Sequence, residues 1–281
     1  MKKTVRTISN VITPEAVVEG AGVRLKRSIG TMRLDHIDPF LLLDHFDSRH
    51  AADYEAGFPL HPHRGIETVT YVLAGRVAHR DTLGNSGTIG AGDVQWMTAG
   101  GGIMHEEMPQ VSPEGITGFQ LWVNLPAKSK MTRPRYQNIS ADEIPEILTD
   151  SGARVRVIAG TVKGTSGPVQ GIAADPTYID VSIAPGGSFV HSIPTGHAAF
   201  AYVFEGDGRF VMDRIVSHPR LVVFEDGESV EVRTDERPVR FLLVSGKPLN
   251  EPIARYGPFV MNTRKEIEQA LEDLNRGTFV K

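Results

Sequence analysis

The apolar positions of this chain recur in short runs broken by turn residues, with little sign of helical period. Thr68 to Leu73 (TVTYVL) is rich in β-branched residues and closes on Ala74-Gly75. Val77 to Asp81 follows, then the turn Leu83-Gly84-Asn85-Ser86-Gly87, then Gly92-Asp93 and the run Val94 to Met97. Gln120 to Leu125 alternates. On an extended strand Leu121, Val123 and Leu125 share one face, and Gln120, Trp122 and Asn124 share the other. Short strands at this spacing, punctuated by turns, predict an all-β sandwich or barrel.

The second half repeats the pattern. Thr70-Tyr71-Val72-Leu73-Ala74-Gly75 matches Ala201-Tyr202-Val203-Phe204-Glu205-Gly206, and Gly90-Ala91-Gly92-Asp93-Val94 matches Glu225-Asp226-Gly227-Glu228-Ser229-Val230. Two motifs in the same order predict an internal duplication, one barrel per half. The polar stretch over 134–150 marks the boundary, with an N-terminal barrel over 1–135 and a C-terminal barrel over 150–281. Ser140 and Glu143 within it predict one capped helical turn. A longer helix is predicted near the C-terminus, where Thr263 and Glu266 form a capping box. Ile267, Ala270, Leu271 and Leu274 share one face, and Gly277 ends it. It is assigned to the C-terminal barrel.

Composition supports this picture. The 281 residues include 29 Gly and 18 Pro, which suit many tight turns, and 40% apolar with 23% charged residues is ordinary for a globular protein. The net charge of −4 and two short basic clusters, Lys2-Lys3 and Arg24-Leu25-Lys26-Arg27, give no footprint for nucleic-acid phosphates. Both clusters read as solvated faces. The absence of cysteine excludes disulfides, thiolate metal sites and cysteine nucleophiles together. Met1 to Thr7 has a charged start without the apolar run of a signal peptide, and no stretch is long and apolar enough to span a bilayer. No membrane association and a cytoplasmic location are expected.

The candidate chemistry lies in two segments. In His61-Pro62-His63-Arg64-Gly65-Ile66-Glu67, residues two apart on a strand aim their imidazoles at one volume. In Gly100-Gly101-Gly102-Ile103-Met104-His105-Glu106-Glu107, His105 and Glu107 likewise share a face, and the glycines allow a close approach that side chains would block. Three imidazoles with one carboxylate suit a divalent first-row metal and leave about one positive charge, which favours an anionic oxygen ligand. Glu67 has the parity of His63 and is a second candidate carboxylate.

HPHRGIETVTY, GDVQWMTAGGGIMHEEMP, FQLWVNLP and GPFVMNT together resemble the pirin family, over nearly the whole chain from Asp38-Pro39-Phe40 to Asn262-Thr263. The resemblance implies two stacked cupin (jelly-roll) barrels with a mononuclear iron site in the first, its ligands mapping onto His61, His63, His105 and Glu107. It points to Glu107 rather than Glu67. Iron(II) comes first, with Mn, Ni, Cu and Zn as alternatives. Aligning Tyr202 with Tyr71 puts Ser192 and Pro194 where His61 and His63 lie, so the second barrel is expected to hold no metal.

Members of the family resemble quercetin 2,3-dioxygenases, which open the central ring of a flavonol with O2. That resemblance casts Glu107 as both ligand and catalytic base, with a flavonol-like aromatic and O2 as partners. The alternative it carries is an iron-dependent redox sensor that binds a regulatory protein partner without turnover. His191 and His197 lack a partner carboxylate, and histidines 36, 45, 50, 79 and 218 lack metal spacing; all read as structural or exposed. Arg64 reads equally as an anion-orienting or a surface ion-pairing residue. Trp96 and Met97 read as core ahead of the lining of a planar pocket, and Asp44-His45 as a surface pair or a support to the ligands ahead of an acid–base pair.

Overall fold

The first of two compact units contains a cavity walled by two antiparallel sheets. The computed structural model describes residues 4–211 and 214–280; the Lys2-Lys3 cluster lies outside them. Strands β1 (Ile8–Ile12), β2 (Glu15–Glu19), β3 (Val23–Ile29), β4 (Phe40–Ser48), β5 (Phe58–His63) and β6 (Ile66–Ala74) come first. Then follow β7 (Val77–Asp81), β8 (Ser86–Ile89), β9 (Val94–Thr98), β10 (Ile103–Pro109), β11 (Ile116–Asn124) and β12 (Arg135–Ile139). One sheet runs β12-β9-β6-β11-β4-β3-β2 and the other β5-β10-β7-β8. The runs identified from the sequence fall on β6, β7, β9 and β11. Prolines 59 and 62 are tolerated in β5 because it is an edge strand, where a missing N–H breaks no ladder.

The register sorts the side chains. Phe119, Leu121 and Val123 of β11 are fully buried on one face, as their alternation requires. The other face, carrying Gln120 and Trp122, lines the internal cavity instead of meeting bulk water. The same row across the sheet pairs Gln120 with Thr70 of β6 and Asp44 of β4, and Asp44 with Arg27 of β3. Arg27 is therefore not on a solvated face. Its guanidinium donates to both oxygens of Asp44 at 2.7 and 2.8 Å and to Glu19 at 2.7 Å. Arg24 and Lys26, facing outward, keep the solvated role, each beside an aspartate.

The compact units are not continuous halves. The split between Ala141 and Asp142 falls inside the polar stretch, but Glu15–Ala141 groups with Leu249–Lys281, and Met1–Pro14 with Asp142–Pro248. Against the expectation of contiguous barrels, the C-terminal helix joins the first unit and β1 the second. Both exchanges have visible causes. Helix α1 (Arg264–Asn275) docks through Ile267, Ala270 and Asp273 and begins with the expected capping box. Its Asp273 accepts from Arg64 at 2.8 Å, and that guanidinium also donates to Gly101 O at 2.7 Å and Phe279 O at 3.1 Å. Arg64, almost fully buried, thus ties helix to glycine run rather than facing a surface. β1 pairs antiparallel with Arg220–Phe224. Residues 141–143 form a turn, not the helical turn expected from Ser140 and Glu143.

The second unit is also a β fold, built on strands including Thr177–Ile183, Ala198–Phe210 and Val239–Gly246. Gly206 does not end its strand as Gly75 does; a bulge between Val203 and Glu205 carries the chain through it. Phe189, Phe210 and Phe241 pack among valines and isoleucines in its core. Each such phenylalanine contributes about 1.5–3 kcal/mol by leaving water.

Candidate metal centre

β5 and β10 bring the histidines together. They pair antiparallel with His105 directly opposite His61 and Ile103 opposite His63, so both strands point imidazoles to one side. A bulge follows between His105 and Glu107 on the β5 side, while on the β7 side Glu107 stays in register with His79. His61, His63 and His105 are, among the described residues, the one group of three or more His, Asp or Glu side chains close enough to share a metal. Ring centroids lie 4.5 to 5.1 Å apart.

The donors fit a metal. The Nδ1 of His61 lies 2.9 Å from Pro59 O, which fixes the proton there and turns the Nε2 lone pair inward. That Nε2 is 3.0 Å from Nε2 of His63. Two donors about 2.1 Å from a metal and at right angles to each other sit about 3.0 Å apart. His105 is buried, and neither ring nitrogen has a hydrogen-bond partner. An imidazole always carries at least one N–H, and leaving polar atoms buried and unpaired costs about 1–3 kcal/mol. Burial and the neighbouring His61 and His79 lower the His105 pKa to about 3, against a weaker pull from Asp81. Burial, then His105 and His61, push His63 well below its usual value. Both rings are therefore neutral near pH 7, as metal ligands must be.

The two candidate carboxylates part company here. Parity does not carry from His63 to Glu67, because the chain turns at Arg64-Gly65, with Gly65 at φ +80°, and begins a new strand. Thr70 of β6 faces the cavity, so Glu67, three residues earlier, lies on the opposite face, where it accepts from Thr98 Oγ1 at 2.7 Å. Burial raises its pKa. Glu107 lines the same cavity as His61 and His63 and accepts from Thr70 Oγ1 at 2.9 Å. It is not one of the three side chains already within metal reach of each other.

The cavity measures about 480 Å³, within the range of small-molecule sites. Val23, Leu25, Phe58, Val77 and Ile116 give it apolar walls, and Trp122 stands edge-on to His63 with centroids 5.2 Å apart. Several contributors escaped the motif reading. Thr70, Gln120 and Trp122 carry one signal, polar or amphipathic residues alternating with apolar ones on strands whose two faces are both covered. Arg27 was hidden in a basic cluster. His79, buried against Gln95 at 3.0 Å and opposite Glu107, has no spacing signal at all.

The other expectations resolve individually. Asp44 and His45 are both buried but face opposite ways, Asp44 into the cavity and His45 stacked on Phe119 at 4.7 Å. Trp96 and Met97 are core residues. His36, His50 and His218 are exposed, and His191 is buried against Phe189. No helix among the described residues is long and apolar enough to cross a membrane.

Comparison with known proteins agrees with this architecture. Residues 22–123 match the Pirin family model, and 178–280 match the model for the pirin C-terminal cupin domain. A pirin-like protein of Caulobacter vibrioides is 45% identical over 98% of this chain and 99% of its own length. Human pirin is 44% identical over 91% of this chain and 87% of its own. Among solved structures, a quercetin 2,3-dioxygenase from Acinetobacter baumannii superposes with a TM-score of 0.88 at 36% identity, covering 98% of each chain.

Proposed function

The chain belongs to the pirin family, and on that premise we propose that it is a metal-dependent dioxygenase that opens the ring of a flavonol such as quercetin with O2. One observation carries the reading: an imidazole triad, with His63 and His105 buried and held neutral, lies beside an apolar-walled cavity of about 480 Å³ that also receives Glu107. The solved quercetin 2,3-dioxygenase of similar fold supports it. His61, His63, His105 and Glu107 would hold one divalent metal, iron(II) first. When bound, the metal supplies a Lewis acid for the substrate hydroxyl and redox access to O2.

The chain's own residues do the rest. Thr70 donates to Oε1 of Glu107 and so orients the carboxylate, which would accept the proton of the flavonol 3-hydroxyl. The threonine has one proton and two neighbours, Glu107 at 2.9 Å and the Gln120 amide at 2.7 Å. If the carboxylate takes that proton, Gln120 must turn its NH2 toward Thr70, and its carbonyl then faces the cavity as an acceptor for a substrate hydroxyl. The apolar walls admit planar rings.

The test is quercetin and O2 consumption by protein loaded with iron(II), beside the Glu107→Gln variant. Turnover by wild type alone is expected. A fully loaded wild type that consumes neither reagent refutes the enzyme reading and favours a redox-sensing regulator.

A further inference from the structure

The charges lining the cavity are unequally satisfied. Glu19, Asp44 and Glu107 supply three carboxylates, and Arg27 and Arg255 two guanidiniums. Arg27 is committed to Asp44 and Glu19. Arg255 is not. Among the described residues no carboxylate lies within ion-pair distance of it, although Asp35, Asp44 and Glu19 attract it from farther off, and its guanidinium donates to backbone carbonyls alone, Leu41 O at 3.3 Å and Gly257 O at 3.5 Å. It is held in place all the same, with its guanidinium carbon 5.0 Å from the centroid of Trp122. The same indole also meets the ring of His63. Arg255, Trp122 and His63 thus follow one another along the cavity, cation, aromatic surface and candidate ligand.

We propose that Arg255 is the anion-recognising residue of this cavity, and that its substrate is a planar aromatic bearing a carboxylate or ionised phenol at the end remote from His63. A ring lying along the cavity past Trp122 would bring such a group to a guanidinium fixed by stacking, the arrangement in which arginine binds oxyanions best. The inference rests on reading the cavity as the substrate site. It requires no particular reaction there.

The experiment is calorimetric titration of the metal-free full chain with 2-naphthoate and with 2-naphthamide, which share a shape and differ in charge. Wild type should bind the naphthoate about tenfold tighter, the scale of one charge-assisted hydrogen bond. Added salt should shrink that difference, because Arg255 is exposed at the rim. Arg255→Gln should bring the preference below about threefold, and Arg255→Lys should retain part of it. Thermal melts of each variant check folding. Equal binding of the two probes by wild type overturns the proposal, as does a preference that survives Arg255→Gln. A preference that appears only after metal loading also overturns it, since the anion then sits on the metal. Because the readout is binding to metal-free protein, its success alongside a failed quercetin assay would sink the dioxygenase reading alone.

Discussion

The hydroxyl of Thr70 and the carboxylate of Glu107 meet across the first barrel at 2.9 Å, one from each of its two sheets. The bond turns a polar residue in the middle of β6 into a support for the carboxylate beside the imidazole triad. Thr70→Val keeps the shape and removes the donor. It should lower metal affinity about 10-fold, in line with losses of outer supports at metal sites. Thr70→Ser should restore most of that affinity. Competition with a chromophoric chelator measures both, and equal affinities for valine and serine variants would remove Thr70 from the site.

The carboxylate assignment has its own test. Glu107→Gln should weaken metal binding by at least about 10-fold and abolish ring opening. Glu67→Gln, on the opposite face of β6 and bonded to Thr98, should keep the metal. Metal content after gel filtration decides. Retention by Glu107→Gln with loss by Glu67→Gln would reverse the assignment.

The depressed imidazoles make the metal-free protein acid-sensitive. Unfolded His105 has an ordinary pKa, and folded His105 titrates at about 3. Between those values the unfolded state binds more protons, so stability rises with pH across that window and falls as pH drops through it. Each such proton contributes at most about 1.4 kcal/mol per pH unit. Urea melts of metal-free protein at pH 7 and pH 5 should show the loss, and His105→Gln should flatten the dependence. An unchanged slope in that variant would mean that His105 is not buried neutral.

Arg64 and Asp273 anchor helix α1 to the glycine run before β10. Asp273→Ala leaves a guanidinium that is 1% exposed without its counter-ion, a change that typically costs about 3–5 kcal/mol. Its melting temperature should fall sharply. Metal affinity at a temperature where the variant is folded should stay within about threefold of wild type. A stable variant with lost metal would instead place Arg64 among the determinants of the site.

Much of this was readable from the chain alone, for a physical reason. Strand alternation has period two, so the common facing of His61 and His63 follows from local backbone geometry. The capping box at Thr263 and Glu266 is local in the same way, and so are the turns that separate β6, β7 and β9. The tertiary structure decided what no local pattern encodes. Alternation separates the faces of β11 but does not say whether the polar one meets solvent or a cavity; closure against β5 and β10 made Gln120 and Trp122 into lining. Parity ends at a corner, so the relation of Glu67 to His63 depended on how the chain turned at Gly65. Which unit each terminus joins rested on pairings more than 200 residues apart, Arg64 with Asp273 and Ile8 with Phe224. Contacts that distant are set by the closed shape of the whole, and a sequence window a few residues wide carries no term for them.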